Sequence, residues 1–223
     1  MEIKNEKKHY KAAIFDVDGT LLDTTEGVLA AVSYTIKAAG IPEIDRDTLL
    51  TFIGPPVQES FMRVYGVTRE RAQELATIFR NRYKDYELLK AEPYEGIYEA
   101  MDQISQNGVS IAVATYKRQD YAETILRHFG FDRYSDILYG ADHENKLKKM
   151  DIIKLCLKDM GIDNPADAVM IGDSGHDAEG AKQLGMDFIG VTYGFDFRTG
   201  EDVFAYPAIG YADTPAQLCQ FFD

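Results

Sequence analysis

Two short acidic segments hold the residues whose types and spacing can do chemistry. Asp16-Val17-Asp18-Gly19-Thr20 follows the apolar run Ala12-Ala13-Ile14-Phe15, and Asp173 and Asp177 follow a second apolar run, Ala168 to Ile171. In extended backbone alternate side chains share a face, so Asp16 and Asp18 offer two carboxyl groups to one site. One can attack while the other moves protons. Asp177 falls one helical turn beyond Asp173, so four carboxylates from two strand ends are expected to converge. Two like charges about 4 Å apart repel by roughly 4 kcal/mol at an effective dielectric near 20, so such a cluster calls for a cation. No His or Cys stands at those strand ends, although His176 is close, and oxygen-only ligands suit a hard ion such as Mg²⁺ rather than zinc. An ionised Asp16 beside Mg²⁺ can attack phosphorus in line and form an acyl phosphate, with Asp18 protonating the leaving oxygen and then activating water. Gly19 and Thr20 supply a tight turn with N–H groups near the transferred phosphoryl.

The elements that must position these groups are visible as a pattern. Short unbroken apolar runs recur at 109–114, 168–171 and 188–191 beside the one at 12–15, with segments of helical periodicity between them. That alternation predicts an α/β fold, a Rossmann-like parallel sheet in which ligands bind beyond the carboxyl ends of the strands. The run at 109–114 delivers Thr115 to that edge. From about Thr24 to Glu92 no strand is evident and apolar residues recur at helical spacing, as in Val28, Ala31, Val32, Thr35 and Ile36, and again in Ala72, Leu75, Ala76, Phe79 and Tyr83. An all-helical cap domain inserted over residues 24–92 into an α/β core of 1–23 and 93–223 is the economical reading. Asn107-Gly108, Gly130 and Gly161 read as helix ends.

Phe15-Asp16-Val17-Asp18-Gly19-Thr20-Leu21 with Asp23, and Ile171-Gly172-Asp173-Ser174-Gly175-His176-Asp177, resemble the first and fourth motifs of the haloacid dehalogenase-like hydrolase superfamily. The helical insert after the first motif is similar to that of its phosphoglycolate phosphatase-like branch, and Phe52-Ile53-Gly54-Pro55-Pro56 looks like a cap segment of that branch. The resemblance implies a phosphatase acting on a small phosphorylated metabolite, with Asp16 as nucleophile, Asp18 as acid/base and Thr115 holding the phosphoryl group. Gly19, Thr20, Thr115 and Tyr116 would contact the substrate. Asp16 and Asp173 would bind Mg²⁺ through their side chains and Asp18 through its backbone carbonyl, with Asp177 beside them orienting a lysine or a water on the ion. That lysine precedes a helix, and Lys146, Lys148 and Lys149 all stand there. Lys149 in Lys149-Met150-Asp151-Ile152-Ile153 resembles a Lys-x-Asp/Glu-aliphatic-Ile form of the motif, whereas Lys146 has the register of a Lys-Pro-x-Pro form but lacks both prolines. A cation at this place would neutralise the nucleophile and phosphoryl oxygens.

Other features admit plainer readings. Lys117 and Arg118 either line the phosphate site or open a solvated helix. Gly54-Pro55-Pro56 is either a specificity loop or a helix start, with Gln58, Glu59 and Arg63 on an exposed polar face behind it. His176 reads as a surface histidine, and Phe79 and Tyr83 as core of the helical insert.

Composition excludes several classes. The 223 residues carry a formal charge of −13, which repels a nucleic-acid polymer. An apolar fraction of 45% is enough for a large core. The two cysteines, Cys156 and Cys219, lie far apart without metal-ligand spacing. Met1 to Lys11 lacks a hydrophobic signal core, and no later run is long enough to cross a bilayer. A soluble cytoplasmic monomer or homodimer is expected, with no membrane partner. A phosphomutase of the same superfamily is the alternative; a phospho-receiver signalling domain would leave the helical insert and Asp18 without a use.

Overall fold

The structure, a computed structural model, describes residues 8–143 and 146–222. Strand β1 (Ala12–Phe15) is buried along its whole length, as its uninterrupted apolar sequence requires. After it come a short pair of strands, β2 (Leu22–Asp23) and β3 (Glu92–Pro93), then β4 (Ser110–Arg118), β5 (Leu138–Ala141), β6 (Ala168–Gly172), β7 (Asp187–Val191) and β8 (Gly210–Ala212). Six strands form one parallel sheet in the order β5-β4-β1-β6-β7-β8, while β2 and β3 form a separate antiparallel ribbon.

The register fixes the functional edge. Phe15 lies opposite both Val113 and Ile171, so the residues just beyond it on β1, β4 and β6 leave the sheet side by side. β1 is also where the strand order turns: the chain passes from it to β4 and β5 on one side, then to β6, β7 and β8 on the other. A crevice at such a switch point is where open α/β sheets bind ligands.

Alternation of side chains divides the core into two layers. Ala13, Phe15, Ile111, Val113, Val169 and Ile171 face a cluster that includes helices α5 (Ile97–Gln106) and α6 (Gln119–His128). Ala12, Ile14, Ala112, Ala114, Ala168 and Met170 face the opposite cluster, with α7 (Lys149–Asp159) and α8 (Gly175–Leu184). The many alanines on that second face let α7 approach the sheet closely, near enough for the Cys156 thiol to donate to the Val113 carbonyl at 3.3 Å.

Between β2 and β3 the chain is helical. It forms α1 (Thr25–Ala39), α2 (Arg46–Leu50), α3 (Val57–Tyr65) and α4 (Arg69–Arg82), and Tyr83–Glu87 continue α4 as a wider π-helical turn. The faces that the spacing predicts are the buried ones: Val28, Ala31, Val32, Thr35 and Ile36 on α1, and Ala72, Leu75, Ala76 and Phe79 on α4. Gln58 differs from its expected exposure, for it is buried and its amide reaches the Arg69 carbonyl at 3.4 Å, while Glu59 and Arg63 are exposed. Among the described residues no helix is long and apolar enough to cross a membrane.

Two strands have no clear sequence signal. β5 reads Leu-Tyr-Gly-Ala and β8 Gly-Tyr-Ala, with no β-branched residue between them. Each is a strand because a neighbour in the sheet supplies its hydrogen bonds, a tertiary override of weak local propensity.

Candidate active site

The end of β1 is tied to β6, since the Asp16 N–H donates to the Ile171 carbonyl at 2.9 Å. The chain then turns sharply, and Gly19 takes φ +80°, a conformation that favours glycine. A Cβ on Gly19 would also lie 2.0 Å from Asp173 Oδ2, and one on Gly194 would lie 2.4 Å from the Gly19 carbonyl oxygen. Backbone thus approaches the carboxylates from two sides. Asp173 follows β6 directly, and its Oδ2 accepts the N–H groups of Phe195 (2.6 Å) and Asp196 (3.4 Å) from the loop after β7.

Asp177, in the first turn of α8, reaches back so that its Oδ2 accepts the Ser174 hydroxyl at 2.6 Å and the Ser174 N–H at 3.2 Å. Its other oxygen lies 2.7 Å from the Lys149 ammonium. Lys149 opens α7, and the same ammonium lies 2.8 Å from Asp16 Oδ1 and donates to the Ala114 carbonyl at 3.0 Å. Asp16, Lys149, Asp173 and Asp177 are all buried. Lys146 and Lys148 are exposed, so of the three lysines before α7 it is Lys149 whose ammonium lies between the carboxylates.

The electrostatics leave the site short of positive charge. Burial above all, then Asp177 and Asp18, push the Asp16 carboxyl up, Lys149 pulls it down, and it comes to rest at about 7. Burial, then Asp177 and Asp16, hold the Asp173 carboxyl well above its ordinary range. Burial alone would loosen the Lys149 proton, but Asp16 and Asp177 outweigh it and hold that proton more firmly than in an exposed lysine. Asp16, Asp173 and Asp177 each offer an oxygen within 4.8 Å of the others, and the Lys149 ammonium pairs with two of the three, Asp16 and Asp177. A buried all-oxygen donor set with an excess of negative charge fits a hard divalent cation such as Mg²⁺.

Asp18 stands apart from that cluster, which differs from the expected convergence of four carboxylates. Its Oδ1 accepts the Thr24 hydroxyl at 2.5 Å and lies 3.1 Å from the Lys117 ammonium. The main-chain carbonyl of Asp18 is then the group left for the ligand role that the resemblance gave this residue. Lys117 is the cation that sequence reasoning left open. Its side chain is only 6% exposed, and its ammonium also donates to the Tyr83 hydroxyl at 2.9 Å. Burial disfavours its charge, yet Asp18 and Tyr83 outweigh burial and raise its pKa. Tyr83 is buried and stacks on Phe79 as core residues do, but its hydroxyl also joins the helical segment to this site.

Thr115 is buried at the end of the β4 core run, where its hydroxyl oxygen accepts the Lys117 N–H at 3.1 Å. Thr20 is fully buried and its hydroxyl has no hydrogen-bond partner among the described residues, so a polar group is left free beside the turn. The Tyr116 hydroxyl accepts the Lys149 backbone N–H at 3.0 Å, and its ring meets the exposed His176 edge-on at 5.3 Å. Gly54 and Pro55 stand between two hollows. One is lined by Asp18, Lys117 and α4 residues, and the other reaches Asp173 and Ser174. Thr24 and the Gly194–Asp196 loop were not singled out from sequence. Thr24 reads there as an ordinary helix start, and the loop carries no motif of its own.

Comparison with known proteins gives the family. The family model described as haloacid dehalogenase-like hydrolase matches residues 13–191. A 5'-nucleotidase of Pseudomonas aeruginosa is 36% identical over 187 residues, covering 83% of this chain and 84% of that protein. The pyrophosphatase PpaX of Bacillus velezensis is 31% identical over 189 residues, covering 83% and 85%. Among solved structures, a predicted phosphatase from Clostridium acetobutylicum superposes with a TM-score of 0.89 at 31% identity, covering 96% of this chain and 98% of that one. With the acidic segments of the sequence assembled at one edge of the parallel sheet, and with this match over most of its length, the chain belongs to the haloacid dehalogenase-like hydrolase family.

Proposed function

We propose that this protein is a Mg²⁺-dependent phosphatase that hydrolyses a small phosphate monoester through an aspartyl-phosphate on Asp16. The observation that carries the reading is the buried set in which the Lys149 ammonium lies 2.8 Å from Asp16 and 2.7 Å from Asp177, with Asp173 completing the cluster. The kinship with a 5'-nucleotidase and a pyrophosphatase supports phosphate esters as the substrate class.

Asp16 is the nucleophile. Its oxygen attacks phosphorus as the bond to the leaving oxygen breaks, and Asp18 gives that leaving oxygen a proton. Water then attacks the same phosphorus, Asp18 takes its proton, and Asp16 is released as a carboxylate with phosphate as product. The Thr24 hydroxyl and Lys117 hold the Asp18 carboxyl group in one pose for both steps. Lys149 offsets the charge of Asp16 and of the phosphoryl oxygens, while the Thr115 hydroxyl orients the phosphoryl group. The N–H groups of Gly19 and Thr20, expected from the sequence beside the phosphoryl, instead close the turn by donating to the Leu22 carbonyl at 3.0 Å and the Val17 carbonyl at 3.2 Å. Asp16, Asp173 and the Asp18 carbonyl would hold Mg²⁺, with Asp177 beside them, and the ion supplies positive charge for the attacking carboxylate and the transferred phosphoryl.

Residues 24–92 act as a cap that excludes bulk water and selects the leaving group. The bond from Lys117 to Tyr83 and the position of Gly54 and Pro55 between the two hollows support that role. The test is Asp16→Asn assayed with Mg²⁺ and an aryl phosphate. Turnover should fall on the order of 10³-fold or more, with an unchanged circular dichroism spectrum. Undiminished turnover would remove Asp16 as nucleophile.

A further inference from the structure

The helix that carries Lys149 begins on a residue unable to cap it. Lys148 stands at the N-cap of α7 in extended backbone, φ −88° and ψ 164°, and a lysine side chain has no oxygen to accept the free N–H groups of the first turn. Its carbonyl takes the N–H groups of Asp151 at 2.9 Å and Ile152 at 3.2 Å. The Lys149 N–H goes elsewhere, to the Tyr116 hydroxyl at 3.0 Å, from a strand 33 residues earlier in the chain. Ala114 and Tyr116 both pack on the alanine-rich side of the sheet, where α7 lies, and both hold Lys149. The Ala114 carbonyl accepts its ammonium at 3.0 Å, and the centre of the Tyr116 ring lies 5.4 Å from that same ammonium, within the range of a cation–π contact. The opposite wall belongs to α8. A Cβ on Gly180 would lie 2.9 Å from Lys149 Cγ, so the lysine stem runs against bare backbone there, and His176 meets the Tyr116 ring from the same helix.

We infer that Tyr116 is a positioning residue for Lys149: its hydroxyl caps α7 in place of Lys148, and its ring guides the ammonium to the point between Asp16 and Asp177. The inference rests on the phosphatase reading and departs from the substrate contact that the resemblance implied for Tyr116. Tyr116 does border the hollow at Asp18, so both roles are within its reach, but they differ in their consequences. A residue that grips substrate acts on binding and needs no lysine. A residue that aims Lys149 acts where the charge of the attacking carboxylate and the phosphoryl oxygens is offset, and its effect disappears with the ammonium. The cap, moreover, is replaceable. Lys148 is exposed and already has N-cap backbone, so a serine there would accept a first-turn N–H and fix the start of α7 by another route.

The test uses the full chain with Mg²⁺ and an aryl phosphate. Tyr116→Phe keeps the ring and should lower kcat roughly fivefold to tenfold, with KM nearly unchanged. Tyr116→Ala removes ring and hydroxyl together and should lower kcat on the order of a hundredfold, as a misplacement of about 1 Å can. Lys148→Ser should leave the activity of the unmodified chain as it is and return most of what Tyr116→Phe loses. In a Lys149→Met background Tyr116→Phe should cost nothing further, in kcat or, where turnover is too slow to follow, in the affinity for inorganic phosphate measured by calorimetry. The ¹H–¹⁵N signal of the Lys149 ammonium reports the position without any turnover. It should move in Tyr116→Phe and return when Lys148→Ser is added. A loss that appears in KM, that persists in Lys149→Met, or that Lys148→Ser does not repair overturns the positioning role while the phosphatase reading stands. An ammonium signal that responds as expected in a chain that hydrolyses no ester keeps the positioning role and refutes the phosphatase reading.

Discussion

Lys149 holds two carboxylates together that would otherwise face one another in a buried site. Replacing it by Met leaves Asp16 and Asp177 without their shared cation, and breaking a buried ion pair from one side costs about 3–5 kcal/mol. Urea unfolding of Lys149→Met without Mg²⁺ should show a loss of that order near neutral pH. The loss should shrink at lower pH, where a carboxyl can take up a proton instead. Asp16 makes a related prediction. Its carboxyl titrates at about 7 in the folded chain without a cation, against 3.8 ordinarily, so the folded state keeps a proton that the unfolded chain has released. The contribution to stability is therefore complete below about pH 4 and is lost as the pH rises through about 7. A cation competes with that same proton. Millimolar Mg²⁺ should raise Tm more at about pH 8 than at about pH 5, and a pH-independent increment in differential scanning fluorimetry would contradict the assignment.

At the scale of elements, the site depends on how closely strand and helix ends approach. Gly172 closes β6, and a Cβ there would lie 2.4 Å from Asp177 Cγ and Oδ2. Gly172→Ala must tilt Asp177 or displace the start of α8, and either moves the partner of Lys149. A misplacement of about 1 Å can cost 10²-fold in rate, so kcat/KM should fall by about that factor while far-UV circular dichroism stays native. A fall in stability without loss of activity would mean that the contact is only packing. The same reasoning explains the crowding around Gly19 and Gly194, where backbone from two loops reaches Asp173. α7 and α8 pack on the alanine-rich face of the sheet, which is how two helix starts bring Lys149 and Asp177 to one point.

The whole molecule is a parallel sheet with a helical segment leaning over one edge, and few polar bonds join the two. Lys117 donates to the Tyr83 hydroxyl, and the Tyr121 hydroxyl donates to the Arg80 carbonyl. Tyr83→Phe keeps the stack on Phe79 but removes the first of these bonds. A net contribution of about 1 kcal/mol from one hydrogen bond corresponds to roughly a fivefold rise in KM, with a smaller change in kcat. Steady-state kinetics on a small phosphate ester would measure it, and a dominant fall in kcat would place the Tyr83 hydroxyl in the chemistry instead.

The sequence by itself determined the α/β class and the apolar faces of α1 and α4, because burial repeats with the period of each element and that period is local. It also set Asp16, Thr115 and Asp173 just beyond apolar runs. Tertiary structure decided which residues meet there. The register of β1 with β4 and β6 brings those three positions to one edge of the sheet, Thr115 and Asp173 one residue further along than Asp16, and the start of α7 buries Lys149 while leaving Lys146 and Lys148 in solvent. It also turned the Asp18 carboxylate toward Thr24 and Lys117, and formed β5 and β8 from segments with little strand character. Pairings between residues far apart in the chain select among locally equivalent options, and a single sequence carries no local mark of which option wins.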